Sequence, residues 1–128
     1  MKISASVYSS KSQSLPEIVN DLDVHGADLF HIDCNDDLSV FDDIAEIKQL
    51  SKTPVDLHII SSEPEKYFAK VEELNVDYVT FQYENLKGHL TLPESITAKL
   101  GLAIMKLLGV ILFKNSAEFS PSKKNCPM

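Results

Sequence analysis

Short apolar runs alternate with capped amphipathic stretches along most of this chain, and that alternation limits the fold more than any other feature. Ile3, Ala5 and Val7 alternate with Ser4, Ser6 and Tyr8 at the period of a strand. Ser14-Leu15-Pro16-Glu17 has the spacing of a capping box with proline in the first turn, and Leu15, Ile18, Val19 and Leu22 continue as a helical stripe. Gly26 is a helix stop, and Ala27–Asp33 reads as a second strand. Phe41, Ile44, Ala45, Ile47 and Leu50 mark a second helix, closed by Lys52-Thr53-Pro54. A third strand covers Val55–Ile60, and a third helix opens at Ser61-Ser62-Glu63-Pro64, turns Tyr67, Phe68, Val71 and Leu74 inward and stops at Asn75. Asp77–Tyr83 is a fourth strand, Pro93–Leu100 a short helix and Gly101–Met105 a fifth strand. Such alternation calls for an α/β fold with a parallel sheet and right-handed crossovers. An open doubly wound sheet and a (β/α)8 barrel both satisfy it.

Composition narrows the partners. With 128 residues and 44% hydrophobic content the chain suits one soluble domain. Its net charge of −7, with no arginine, argues against nucleic acid, which demands clustered positive charge. No apolar run reaches the roughly 18 residues of a membrane span, and the N-terminus has no signal-like apolar region. Cys34 and Cys126 form neither a CxxC pair nor a disulfide framework, so a cytoplasmic setting is expected. Neither GxGxxG nor GxxxxGK[ST] occurs.

Chemistry is expected at the carboxyl ends of the strands, where ligands gather in parallel α/β architectures. His31 and Asp33 stand two apart at the end of the second strand and so share a face; His58 lies toward the end of the third, and Ser6 near the end of the first. Two imidazoles and one carboxylate from neighbouring strands would suit Zn²⁺, Fe²⁺, Co²⁺ or Mn²⁺. The plainer reading of a strand histidine is a satisfied structural residue. Asp37, Asp42 and Asp43 read as helix N-terminal charges on a solvated surface.

These residues carry a family resemblance. Lys2-Ile3-Ser4-Ala5-Ser6 is similar to the K-I-S-P-S opening of ribulose-phosphate 3-epimerases, with Ala5 in place of proline. Gly26-Ala27-Asp28-Leu29-Phe30-His31-Ile32-Asp33 matches their G-A-D-x-x-H-x-D, and Val55-Asp56-Leu57-His58 resembles their L-D-V-H. The resemblance spans residues 1 to about 105 and implies an incomplete (β/α)8 TIM barrel holding about the first five strands. It implies an isomerase that interconverts D-ribulose 5-phosphate and D-xylulose 5-phosphate by metal-assisted proton transfer at carbon 3, with two aspartates as base and acid. By that resemblance His31, Asp33 and His58 are the metal ligands, Asp33 is also catalytic, and Ser6 and His58 contact the phosphorylated ketopentose. Sister barrels that decarboxylate orotidine phosphate or synthesise hexulose phosphate carry D-x-K where this chain has Asp56-Leu57-His58, which favours the epimerase branch.

The chain departs from the pattern in ways that bear on activity. A complete barrel takes about 200 residues or more, and no residue here matches the family's second catalytic aspartate or its phosphate-binding turns. The family's M-D-G reads Asn35-Asp36-Asp37, and its fourth-strand histidine is Gln82. Beyond Met105 the similarity stops and the charge balance reverses, from 8 Lys against 18 acidic residues to 4 Lys against one. Residues 1–105 are therefore expected to form a partial barrel, and 106–128 a divergent, poorly ordered tail from a truncated or frameshifted reading. Impaired catalysis follows, with three alternatives: a non-catalytic pseudoenzyme, a half-barrel subunit joined by a second copy or a complementing chain, or another sugar-phosphate enzyme of the same barrel group.

Overall fold

The capping box read from Ser14 and Glu17 is formed. In the computed structural model, which describes residues 1–105, 110–114 and 118–119, the Ser14 hydroxyl accepts from Glu17 N and the Glu17 carboxylate accepts from Ser14 N at 2.8 Å. Helix α1 (Leu15–Val24) runs from there to a turn at Gly26, whose φ of 80° suits glycine. Helix α2 (Ser39–Leu50) starts where the Asp37 carboxylate accepts from Ser39 N (3.0 Å) and Ser39 Oγ (2.7 Å), so Asp37 serves the helix start as read. Helix α3 (Phe68–Leu74) follows a 3-10 turn at Pro64–Tyr67 and closes on Asn75 in the left-handed region.

Between the helices lie strands β1 (Ser4–Ser6), β2 (Leu29–Cys34), β3 (Val55–Ile59) and β4 (Tyr78–Gln82); then come β5 (Leu90–Thr91), β6 (Lys99–Ile104), β7 (Val110–Lys114) and β8 (Glu118–Phe119). The main sheet has the order β1-β2-β3-β4-β6-β7, and the pairings from β1 to β6 are all parallel. This consecutive order is that of a singly wound barrel wall, since a doubly wound sheet reverses direction at a switch point. The sheet is not closed. The fold is thus α/β with a five-stranded parallel core, an incomplete (β/α) barrel as the sequence led us to expect.

The two faces of the sheet differ in chemistry. Phe30, Ile32 and Cys34 of β2, Val55, Leu57 and Ile59 of β3, and Val79 and Phe81 of β4 belong to one buried cluster with Ile18, Val19, Phe41, Ile44, Ile47, Phe68 and Val71 from the helices. Burying one large side chain there is worth about 1.5–3 kcal/mol. The alternate positions put His31, Asp33, Asp56, His58, Thr80 and Gln82 on the opposite face. Polar residues at every second position of central parallel strands are unusual, because such strands normally read as continuous apolar runs.

Two expectations need correction. No helix forms over Pro93–Leu100: Ile96 N donates to Pro93 O in a single turn, and the chain enters β6 at Lys99. The segment is too short to nucleate a helix alone, and Leu90 and Leu92 are already buried beside it. Val110–Lys114, beyond Met105 where no further strand was expected, forms β7, antiparallel to β6. Only residues 105–109 separate the two strands, far fewer than the dozen or so that a parallel crossover takes. A short antiparallel pair, Leu90↔Phe119 and Thr91↔Glu118, joins β5 to β8. The expectation of a poorly ordered tail falls otherwise on 106–109, 115–117 and 120–128, outside the described residues, as does Cys126.

Candidate metal centre

Register alone brings the sequence-predicted residues together. Across β1–β2 Ser6 pairs with His31, and across β2–β3 Asp33 pairs with His58. Side-by-side partners in a parallel sheet share a face, so Ser6, His31, Asp33 and His58 line one wall at the carboxyl end of the strands. Asp33 Oδ1 lies 2.9 Å from His31 Nε2 and 3.1 Å from His58 Nδ1, and the two rings sit 5.6 Å apart. One ligand atom from each of His31, Asp33 and His58 falls within 4.8 Å of the other two. The side chains are 24%, 45% and 14% exposed respectively, so the wall is sheltered but Asp33 can be reached from solvent. Ser6 itself is exposed.

Four further polar residues hold this set, and sequence reading had not assigned them to it. His31 Nδ1 lies 3.0 Å from Asp56 Oδ2, and Asp56 also accepts from Thr80 Oγ1 at 3.2 Å. His58 Nε2 lies 2.8 Å from Gln82 Oε1, while Gln82 Nε2 donates to Glu84 Oε2 at 2.6 Å. The other oxygen of Glu84 accepts from Met105 N at 2.7 Å, at the end of β6. Every buried side-chain polar atom among the described residues has a partner. The signal for Asp56, Thr80 and Gln82 was available in the two-residue period of Asp56-Leu57-His58 and Thr80-Phe81-Gln82, which aims them at the face of His31 and Asp33; Glu84, in the turn after β4, lies outside that period.

Protonation follows from what each group accepts. A carboxylate only accepts, so the His31 nitrogens facing Asp56 and Asp33 both carry hydrogen when cation-free. His31 is accordingly held above its ordinary 6.5, chiefly by the Asp56 hydrogen bond against the opposing effect of burial. The inner nitrogens, His31 Nε2 and His58 Nδ1, both point at one carboxylate oxygen. A divalent cation there would take the place of protons on those two nitrogens, with the outer nitrogens still bonded to Asp56 and Gln82. Two imidazoles and a carboxylate, each backed by an orienting acceptor, fit such an ion.

Residues 2–107 match the sequence model of the ribulose-phosphate 3 epimerase family. The chain belongs to that family. In this epimerase-family chain the match runs from β1 to the end of β6 and takes in the whole of the His31–Asp33–His58 wall. It stops short of β7, where the strand direction reverses. Among the described residues no helix is long and apolar enough to cross a membrane.

The loop after β2 is tied to the start of the third helical segment. Asp36, at φ 56°, accepts from Tyr67 Oη at 2.7 Å and pairs with Lys66 at 3.0 Å. Hydrogen bonds from Ser61, Tyr67 and Lys66 bring the Asp36 carboxyl down to about 2. Burial, then Asp36, pushes the Tyr67 phenol up to about 12. Cys34 is a buried free thiol whose pKa burial raises, which favours the inert protonated form. At the other edge Tyr8 donates to Asp43 at 2.6 Å, so Asp43 also anchors the β1 end.

Proposed function

We propose that this chain is a ribulose-phosphate 3-epimerase-like protein that exchanges the proton at carbon 3 of a phosphorylated ketopentose, with His31, Asp33 and His58 holding a divalent cation. The observation that carries the reading is the convergence of two imidazole nitrogens and a carboxylate oxygen on one spot, in a chain whose family acts on ribulose phosphate. A cation bound there would act as a Lewis acid, lowering the cost of negative charge on substrate oxygens as the proton leaves.

The remaining work belongs to the chain. Asp33 takes the carbon 3 proton, because its carboxylate is the most exposed member of the set and stands on the solvent-facing wall. Ser6, next to His31 across the strand pairing, offers a hydroxyl to the substrate's oxygens. His58, held between Asp33 and Gln82, lines the same surface. Zn²⁺, Fe²⁺, Mn²⁺ and Co²⁺ all accept this donor set.

A second reading has its own support: the sheet is open, and one carboxylate, Asp33, is the only acid in the described donor set. In that reading the chain is a non-catalytic or half-barrel subunit that pairs with a copy of itself or with a complementing chain. Deuterium wash-in at carbon 3 of D-ribulose 5-phosphate in D₂O separates the two. Exchange that depends on added cation and disappears in Asp33→Asn supports proton transfer. No exchange from the cation-loaded chain leaves the subunit reading.

A further inference from the structure

The loop that leaves β2 is fastened to the loop that leaves β3, and the fastening closes a ring through the candidate ligands. Asp33 and His58 are register partners, and Ile60 N donates to Cys34 O at 2.9 Å one step further on. Beyond that bond the connection passes to side chains. Asp36, three residues after Asp33, accepts from Tyr67 Oη at 2.7 Å, from Lys66 Nζ at 3.0 Å and from Ser61, which stands three residues after His58. Ser61 and Tyr67 are 2% and 1% exposed, so both hydroxyls are fixed points, and the Tyr67 ring stacks on Phe41 of α2 with centroids 5.6 Å apart. Lys66 is 47% exposed and adds little, because water screens it. Asp36 keeps φ at 56°, a left-handed backbone that costs any residue but glycine, and its side-chain bonds offset that cost.

Asp33 needs such a fastening. At 45% exposed it is the least packed of the three candidate ligands, so its place relative to His58, 3.1 Å away, depends on the backbone at the end of β2. A cation site asks for ligand atoms held to within about 0.5 Å. Other ties of this loop stay on the β2 side: Asp37 bonds Ser39 at the start of α2, and Cys34 Sγ reaches Asp37 O at 3.7 Å. Asp36 is the side chain that crosses to the β3 loop. We infer, on the cation-site reading above, that Asp36 is a positioning residue: through Ser61 and Tyr67 it holds the ends of β2 and β3 at the separation at which Asp33 and His58 grip one divalent cation.

The test is cobalt(II) binding to the folded chain, read by visible absorption, with amide spectra of each variant to report that the fold is intact. Asp36→Gly suits the positive φ and removes only the clamp. Its cobalt affinity should fall about tenfold, the loss that follows when binding has to re-order a freed loop residue. Its visible bands should shift while the amide signals of α1 and β4 stay in place. Asp36→Asn keeps an acceptor for Tyr67 and offers an amide to Ser61 Oγ, so it should recover most of the affinity. Tyr67→Phe should weaken binding less than Asp36→Gly does, and add nothing on top of it. Ser14→Ala loosens α1 away from this loop and should leave the affinity unchanged. Equal affinity in the parent and Asp36→Gly, no recovery in Asp36→Asn, or a matching fall in Ser14→Ala overturns the inference. A parent without cobalt uptake overturns the cation site and this role with it. Uptake that is lost in His58→Ala but unmoved in Asp36→Gly leaves the cation site standing and overturns the role of Asp36 alone.

Discussion

Removing the carboxylate of Asp56 should weaken the fold more than any other single change on the polar face. Asp56 is 4% exposed, and it is the shared acceptor for His31 Nδ1 at 3.0 Å and Thr80 Oγ1 at 3.2 Å, with Thr80 itself fully buried. Asp56→Ala strands both donors. A buried donor without a partner costs about 1–3 kcal/mol, so two cost about 2–6 kcal/mol. His31 is partly open to water and recovers some of this, which puts the expected loss at about 2–4 kcal/mol, a large share of the roughly 5–15 kcal/mol that a domain commands. Asp56→Asn keeps the volume and one acceptor oxygen, while the Thr80 hydroxyl can rotate to accept from the new amide. Its cost should be nearer about 1 kcal/mol.

The same substitution has a pH signature. Because the folded His31 sits above its ordinary 6.5, its contribution to stability is fully present below that value and fades as pH rises through the raised one. The Asp56 hydrogen bond is the largest cause of the shift, so Asp56→Asn should flatten this dependence. Urea unfolding of the cation-free chain at mildly acidic and mildly alkaline pH measures both effects. Equal stability of Asp56→Ala and Asp56→Asn, or an unchanged pH slope, would refute the reasoning.

Three other outcomes follow. Ser14→Ala removes one half of the capping box on α1 and should cost about 1 kcal/mol in urea unfolding; a neutral result would mean Glu17 alone satisfies the helix start. Asp36, held down to about 2, adds stability that is present above its ordinary 3.8 and lost as pH falls through about 2. A carboxyl ¹³C titration should place its midpoint near that value and Tyr67→Phe should raise it, whereas an ordinary midpoint in the parent would show that the loop clamp is not formed. The Tyr67 phenol should resist ionisation until about pH 12 in an ultraviolet titration, and an ordinary midpoint near 10.0 would contradict its burial beside Asp36.

The sequence was most legible where local chemistry and global fold agree. Ser14 and Glu17 cap α1, Asn75 ends α3, and the residue spacing in His31-Ile32-Asp33 sets the facing of two ligands without reference to the rest of the chain. Convergence with His58 needed only the knowledge that neighbouring strands pair in register. For Asp56 and Gln82 the strand period sets only the facing; their bonds to His31 and His58 depend on distances between neighbouring strands, and Glu84 lies in a turn beyond β4 that no strand period covers. Val110–Phe113 is an unbroken apolar run with no period to read, and the direction of β7 is dictated by a connection too short for a crossover. The helix expected over Pro93–Leu100 is instead a single turn, Ile96 N to Pro93 O, that leads into β6 at Lys99, because so short a segment does not nucleate a helix alone.

Cobalt(II) titration of the folded chain, followed by visible absorption, reads the His31–Asp33–His58 set directly. One equivalent should bind per chain, with a spectrum of nitrogen and oxygen ligation that is lost in His58→Ala and in Asp33→Ala. A parent chain that shows no cobalt spectrum, or a spectrum unchanged by both substitutions, would contradict the assignment of His31, Asp33 and His58 as the cation-holding wall.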